Sequence, residues 1–79
     1  MGPEKLRIKE SASIAAAAYD RQRRTLQVTF KPGRAAHRGA TYNYLGVPPH
    51  VVDEFLGAES LGRFVNWQIK PRYEYKKTS

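Results

Sequence analysis

Apolar and polar residues alternate with a period of two through the first half of the chain. Between Thr25 and Phe30 every second residue is apolar, the intervening residues are polar, and β-branched and aromatic side chains are frequent. The turn residues Lys31-Pro32-Gly33 follow directly. This pattern predicts a half-buried strand over 25–30. Weaker signals of the same kind predict strands over 14–19 and 40–45, and a short strand or ordered arm around Leu6 and Ile8.

The alanine-rich stretch 14–19 is the least certain of these strands, because alanine favours helices. Six residues are too few for a free-standing helix, however, and we therefore expect a strand.

After Gly46 the periodicity changes to that of helices. The proline pair at 48–49 suits a helix entrance, where a missing N–H costs nothing. We expect a first helix that ends near Gly57 and a second that Ser60 caps and Pro71 ends. The buried residues are expected to be Val51, Val52, Phe55 and Leu56 in the first helix and Leu61, Phe64, Val65 and Ile69 in the second.

Strands followed by helices predict an α+β fold. We expect a small antiparallel β-meander of three to four strands followed by two short helices packed on one face. Within it, Tyr42 and Tyr44 share one face of their strand, whereas Leu45 has the opposite parity. If Leu45 is buried, both rings lie on the open face; if the strand bends near Gly46, the rings belong to the core. We expect at least one of the two tyrosines in the core.

Composition adds one strong signal, which is positive charge. The 79 residues include 14 Lys and Arg but 7 Asp and Glu, for a net charge of +7. No acidic residue occurs between Asp20 and Asp53. Such an excess favours a polyanionic partner, either nucleic acid or the acidic surface of a protein, with simple solubility as the third explanation. Charge alone does not distinguish the first two.

Aromatic residues interleaved with these cations suggest where a partner binds. Tyr73 and Tyr75 alternate with cations in the C-terminal segment, a composition that can stack bases and neutralise phosphates; the same segment also suits an edge strand. Trp67 lies off the apolar stripe of its helix and is expected to be exposed. Asn66 is expected to hydrogen-bond the backbone and fix its helix against the sheet. The residues predicted to bind nucleic acid or another partner are Arg21, Arg23, Arg24, Lys31, Arg34, Arg38, Tyr42, Tyr44, Trp67, Arg72, Tyr73, Lys76 and Lys77.

Catalytic and metal chemistry find little support in the sequence. There is no cysteine, and the two histidines, His37 and His50, are thirteen residues apart, so a metal site would need carboxylates from elsewhere. Phosphate-binding glycine loops and nucleophile motifs are absent. We therefore expect a non-catalytic, monomeric protein with no cofactor, no metal and no membrane contact. No apolar run reaches the roughly 20 residues of a membrane span, and we expect a cytoplasmic protein, in the host cytoplasm if a phage encodes it.

Several short motifs also occur along the chain in a characteristic order. They are Ser11 or Ser13 before Ile14, Tyr19-Asp20, Leu26-x-Val28-x-Phe30 with Gly33, Tyr42-x-Tyr44, Val47-Pro48, Ala58-Glu59-Ser60-x-Gly62-Arg63-Phe64-x-Asn66, Ile69 and Tyr73. Together they resemble the KTSC domain, which is named for its place at the C-terminus of some lysyl-tRNA synthetases and also occurs alone in bacterial and bacteriophage proteins. The resemblance spans about residues 11–75.

The resemblance implies one domain over 11–77, preceded by an arm or extra strand at 1–10. The family usually connects the corresponding strands by a tight hairpin, so the basic loop at 31–40 resembles an insertion. The synthetase link suggests RNA, and no catalytic residues come with it. We therefore expect a basic module that binds RNA or other nucleic acid through a cationic, tyrosine-containing surface. The alternative is a small regulator, for example one encoded by a phage, that binds an acidic surface of the host transcription or translation machinery.

Overall fold

An antiparallel sheet with helices on one face forms the protein. The computed structural model describes residues 2–32 and 40–77. Within these residues the sheet has five strands, each paired with the next in the chain. They are β1 (Glu4–Lys5), β2 (Ile14–Asp20), β3 (Thr25–Phe30), β4 (Thr41–Tyr44) and β5 (Tyr75–Lys77). The α+β architecture is confirmed, but the predicted three to four strands are wrong by at least one.

The miscount comes from the two edge strands, which are very short. In β1, Glu4 pairs with Tyr19 and Lys5 pairs with Ala18. After this strand, the side chains of Leu6 and Ile8 are half-buried and pack against the core. The other edge strand is β5, with three residues. Strands of two or three residues are too short to show an alternating pattern, so their pairing depends on the neighbouring strand.

The core lies on the face of the sheet that the helices cover. Leu26, Val28 and Phe30 of β3 point into it, as the alternation predicts. The pairing of β2 with β3 shifts between Ile14 and Ala16, a bulge that lets Ile14 face the core together with Ala17 and Tyr19. The opposite face, which we call the open face, carries mainly small and polar side chains, among them Thr25, Gln27, Thr29, Thr41, Asn43 and Lys76.

Two helical segments complete the core. Helix α1 (Pro49–Gly57) buries Val52 and Phe55. Helix α2 (Leu61–Phe64) begins after Ser60, whose Oγ accepts a hydrogen bond from the Arg63 N–H at 3.3 Å, as the capping prediction requires. It continues as a single turn of π-helix over Val65–Ile69, which we call the π-turn. Of the eight residues predicted to be buried on the two helices, five are buried and the others half-buried: Val51, Leu56 and Phe64.

The two tyrosines of β4 lie on the face of the sheet that forms the core. Tyr44 is 2% exposed and Tyr42 is half-buried, whereas Leu45 is 37% exposed. The prediction that at least one tyrosine lies in the core is confirmed. Within the described ranges, no helix is long and apolar enough to cross a membrane.

A close contact between α2 and the segment before β2 gives a test of this packing. A Cβ atom at Gly62 would lie 3.1 Å from both the Cβ and the Oγ of Ser13, closer than normal van der Waals contact. We expect Gly62→Ala to lower the free energy of unfolding by about 1 kcal/mol, because overpacking outweighs the better helix propensity of alanine. Urea denaturation measures the change.

The double variant Ser13→Gly/Gly62→Ala is the control for this prediction. Removing the Ser13 side chain removes the crowding, so Gly62→Ala should be neutral or stabilising when Ser13→Gly is the reference. An equal loss in both backgrounds would show that crowding against Ser13 is not the cause.

Candidate functional site

A small cleft opens between the β4–β5 edge of the sheet and the π-turn. It has a volume of about 40 Å³, which is room for about one water molecule. We call it the tyrosine cleft. Its lining residues are Phe30, Tyr42, Tyr44, Asn66, Lys70 and Tyr75.

Aromatic rings form one side of the tyrosine cleft. Tyr75 lies opposite Tyr44 in the strand register, so both side chains project toward the helices. The Tyr75 ring meets the Tyr42 ring edge to face, with 5.3 Å between ring centroids, and its centroid is 5.9 Å from that of Tyr44. Phe30 extends the cluster behind Tyr42, at 5.6 Å. Tyr75 is the most accessible ring of the four, with 50% of its surface exposed.

Polar side chains form the other side. Asn66 and Lys70 belong to the π-turn and the residue after it, and both are exposed. The Lys70 N–H donates to the Val65 carbonyl at 2.7 Å, the five-residue spacing of a π-helix. Lys77 pairs with Tyr42 and therefore projects from the same face of the sheet. The cleft thus combines an accessible ring with a carboxamide and two ammonium groups at or near its mouth.

Burial of Tyr44 affects its ionisation. Desolvation raises the pKa of its phenol to about 12, and the neighbouring phenols of Tyr42 and Tyr75 act in the same direction. Burial also raises the pKa of Tyr19, whose hydroxyl donates to the Val47 carbonyl at 2.5 Å. Both rings are therefore neutral structural groups near neutral pH.

This shift predicts a loss of stability in alkali. The unfolded chain releases the Tyr44 proton near pH 10, whereas the folded chain keeps it until about pH 12. The stabilisation is complete below pH 10 and falls by about 2–3 kcal/mol as pH rises to 12. We expect urea denaturation between pH 8 and 11.5 to show this fall, and Tyr44→Phe to reduce its slope. Equal slopes in the two proteins would contradict the assignment to Tyr44.

The arginines predicted to bind a partner lie far from Lys31. The turn between β2 and β3 carries Arg21, Arg23 and Arg24, all exposed; we call it the arginine turn. Asp20 Oδ1 accepts hydrogen bonds from the backbone N–H of residues 22 and 23 at 3.0 and 3.1 Å, which fixes the turn. Lys31 is half-buried at the opposite end of β3, seven residues after Arg24 and about 23 Å from it at the usual rise per residue. The cations close in sequence therefore do not form one patch.

The remaining predicted residues divide among several surfaces. Arg72, Lys76 and Lys77 are exposed, but Lys76 projects from the open face beside Asn43, opposite to Lys77. Tyr73 is half-buried against the core. Arg34 and Arg38, with most of the predicted basic loop, lie outside the described residues.

Trp67 is 69% exposed, as predicted. The guanidinium carbon of Arg63 lies 6.0 Å from its ring centroid, within the range of a cation–π contact. Trp67 lines a separate shallow depression with Phe64 and Gln68, and it is not part of the tyrosine cleft.

Tyr44, which was predicted as a binding residue, is buried because the helices cover its face of the sheet, and it forms the inner wall of the cleft. Its part in binding stays a prediction. Asn66 was expected to fix its helix against the sheet, but it is exposed at the cleft.

The predicted list of binding residues omitted Lys70 and Tyr75, although the segment that contains Tyr75 was interpreted as able to stack bases. Tyr75 had a usable signal, because it alternates with Tyr73 among cations. Among the described residues no group of three or more His, Asp or Glu side chains could hold a metal ion.

Comparisons with known proteins identify a domain family and several similar proteins. The model of the KTSC domain matches residues 10–73. A protein of Tsukamurella paurometabola is 48% identical over 64 residues, which are 81% of this chain and 87% of that protein. A protein of Stutzerimonas stutzeri is 39% identical over 64 residues, 81% and 82% of the two chains. The crystal structure of a KTSC domain protein from Yersinia pestis aligns with a TM-score of 0.81 and 31% identity, covering 99% of this chain and 100% of that one.

Proposed function

The chain belongs to the KTSC domain family, and we propose that it is a non-catalytic module that binds RNA or other nucleic acid at the sheet edge formed by β5. The observation that carries the proposal is the half-exposed Tyr75 ring in a cleft shared with Lys70. Base stacking on an aromatic ring, with cations for the phosphates, is the usual chemistry of single-strand binding. No cofactor or metal is part of this proposal.

Charge around β5 supports it. Residues 70–77 contain four cations and one acidic residue, Glu74, and the four cations are exposed. They project on both sides of the edge, since Lys76 and Lys77 occupy opposite faces. A nucleic acid strand that crosses the edge can therefore meet positive charge on either face. The four cations are Lys70, Arg72, Lys76 and Lys77.

The arginine turn adds positive charge at the Tyr75 end of the same edge. The Leu45 N–H donates to the Glu74 carbonyl at 2.8 Å, and the Val47 N–H donates to the Arg24 carbonyl at 2.7 Å. These two bonds bring the start of β5 and the arginine turn to the same end of the sheet. Arg23 also lines a shallow groove on the open face together with Gln27, Asn43 and Lys76. We propose that these arginines raise the rate of association through long-range attraction.

The direct test is a titration of fluorescently labelled single-stranded RNA at salt concentrations from 25 to 300 mM. Four phosphate contacts predict that log affinity falls against log salt with a slope of about −3, at about −0.7 per contact. Single-stranded DNA of the same sequence shows whether the 2′-hydroxyl contributes. Absence of binding at the lowest salt concentration would overturn the proposal.

A second candidate function is binding to an acidic protein surface, such as one on the transcription or translation machinery. The exposure of Trp67 beside Arg63 favours it, because tryptophan and arginine are enriched among the residues that dominate protein interfaces. A pulldown from bacterial lysate separates the two candidates. A partner that is retained after nuclease treatment and lost in Trp67→Ala supports protein binding, whereas recovery that nuclease abolishes supports nucleic acid.

A further inference from the structure

We infer that the tyrosine cleft binds one unpaired base, adenine by preference, which stacks on Tyr75 while Asn66 hydrogen-bonds its edge. This inference rests on the proposed nucleic-acid binding and specifies its ligand. It predicts that the protein discriminates single strands from duplexes, and among single strands by the base placed in the cleft.

The size of the cleft excludes a base pair. A cavity of about 40 Å³ accepts the edge of one flat ring, and the rest of that ring must lie outside it. Tyr75 stands at the mouth and has half of its surface exposed, so it can cover that remaining part by stacking. A base inside an RNA duplex has both faces stacked, and its N6/N7 edge lies in a deep, narrow groove that side chains do not reach, so it cannot enter in this way.

The aromatic side of the cleft is held in place before a ligand arrives. Tyr44 is buried and its ring centroid is 5.9 Å from that of Tyr75, while Tyr42 meets Tyr75 edge to face at 5.3 Å. Tyr75 is therefore supported from its inner side and presents its outer side to solvent. A ring supported in this way loses little conformational freedom when a base stacks on it.

Asn66 is the residue that can read the base. Its carboxamide offers one acceptor and two donor hydrogens, and the side-by-side donor and acceptor match N6 and N7 of adenine. Guanine presents two acceptors on the same edge, and cytosine presents a donor without an adjacent acceptor there, so each fits a carboxamide less well. Lys70 has only donors, and we assign its ammonium group to the flanking phosphate.

Asn66 and Lys70 reach the same cleft because they are four residues apart and therefore lie on the same side of the helical segment. The π-turn closes with the hydrogen bond from Lys70 N–H to the Val65 carbonyl. Asn66 lies inside this turn and Lys70 directly after it, and both line the cleft. Single π-helical turns within α-helices are frequent at functional sites.

The experiment compares eight-nucleotide RNAs that differ at one central position, which carries adenine, guanine, cytosine, uracil or no base. A duplex of the adenine-containing strand is the sixth RNA. Dissociation constants are measured by fluorescence anisotropy at one low salt concentration, with the wild-type chain and with Asn66→Ala. Thermal unfolding of Asn66→Ala checks that this exposed substitution leaves the fold intact.

We expect the adenine strand to bind about tenfold more tightly than the abasic strand and the duplex, a gain typical of one stacked base. We also expect Asn66→Ala to remove the preference for adenine over the other bases while the salt slope stays the same. A structural role for Asn66 would weaken all strands equally, so loss of the preference alone supports base reading.

Other outcomes contradict the inference in distinguishable ways. Equal affinity for abasic, duplex and single-stranded RNA, with the expected salt slope, would leave the proposed function standing and overturn the base site. A stacking effect that Asn66→Ala does not alter would overturn base reading by Asn66. Failure to bind any of these RNAs at low salt would overturn the proposed function itself.

Discussion

Alanine at Lys70, Tyr75 and Lys77 together is expected to weaken binding to single-stranded RNA on the order of 10²-fold in 0.1 M salt. Each lost phosphate contact costs about fivefold at this salt concentration, from a slope of about −0.7 per contact. Loss of one stacked base costs at least about fivefold more. All three side chains are exposed, so the fold should persist. Anisotropy titrations at several salt concentrations should also show the slope become less steep by about 1.4.

A matched control variant separates position from net charge. Lys9→Ala/Arg63→Ala/Trp67→Ala removes the same number of positive charges and one aromatic ring, and its residues are also exposed. None of them lines the tyrosine cleft. We expect this control to change affinity by no more than about threefold, because distant surface charges are largely screened at 0.1 M salt. Equal losses in the two variants would contradict a site at β5, and a larger loss in the control would move the site to Trp67.

The largest expected effect on stability is that of Phe55→Ala. Phe55 is fully buried, and its ring centroid lies 6.0 Å from that of Phe64, so it joins α1 to the second helix and the sheet. Truncation of a buried phenylalanine costs about 3–5 kcal/mol. A domain of this size has a total stability of about 5–15 kcal/mol, and the variant should therefore melt at least about 12 °C lower. Circular dichroism during heating measures the midpoint.

Glu54→Ala is the control for the core prediction. Glu54 is the neighbour of Phe55 on α1 but is exposed, and surface substitutions of this kind usually change stability by less than about 0.5 kcal/mol. If Phe55→Ala melts at the same temperature as Glu54→Ala, the apolar stripe of α1 does not pack on the sheet as described.

Elements with a strong local signal could be predicted from the sequence. The bounds of β3 agree residue for residue, because alternation continues to Phe30 and turn residues follow at once. The start of α2 was also predictable, since the Ser60 cap depends only on neighbouring residues. The order of short motifs was sufficient to suggest the KTSC family, and the family match over residues 10–73 confirms it.

Features that depend on contacts between distant segments could not be predicted. The C-terminal segment was predicted to suit an edge strand, but its partner was not predictable, because Tyr75 and Lys76 pair with Tyr44 and Asn43, more than 30 residues earlier in the chain. The cleft in turn requires β5 and the π-turn to meet, and no local pattern indicates a π-turn. No acidic residue separates the arginines from Lys31 in the sequence, but the length of β3 places them at opposite ends of the sheet.

If the cleft binds RNA as proposed, the brevity of β5 couples that binding to local order. A strand of three exposed residues at an edge can detach at much lower free energy than the core, and its detachment removes Tyr75 from the cleft. Occupancy of the cleft must then slow amide hydrogen exchange along residues 75–77 before it protects any other part of the sheet. The binding-competent fraction of the protein is accordingly the fraction with this strand docked, and substitutions that tighten its pairing with β4 should raise the apparent affinity without touching the ligand.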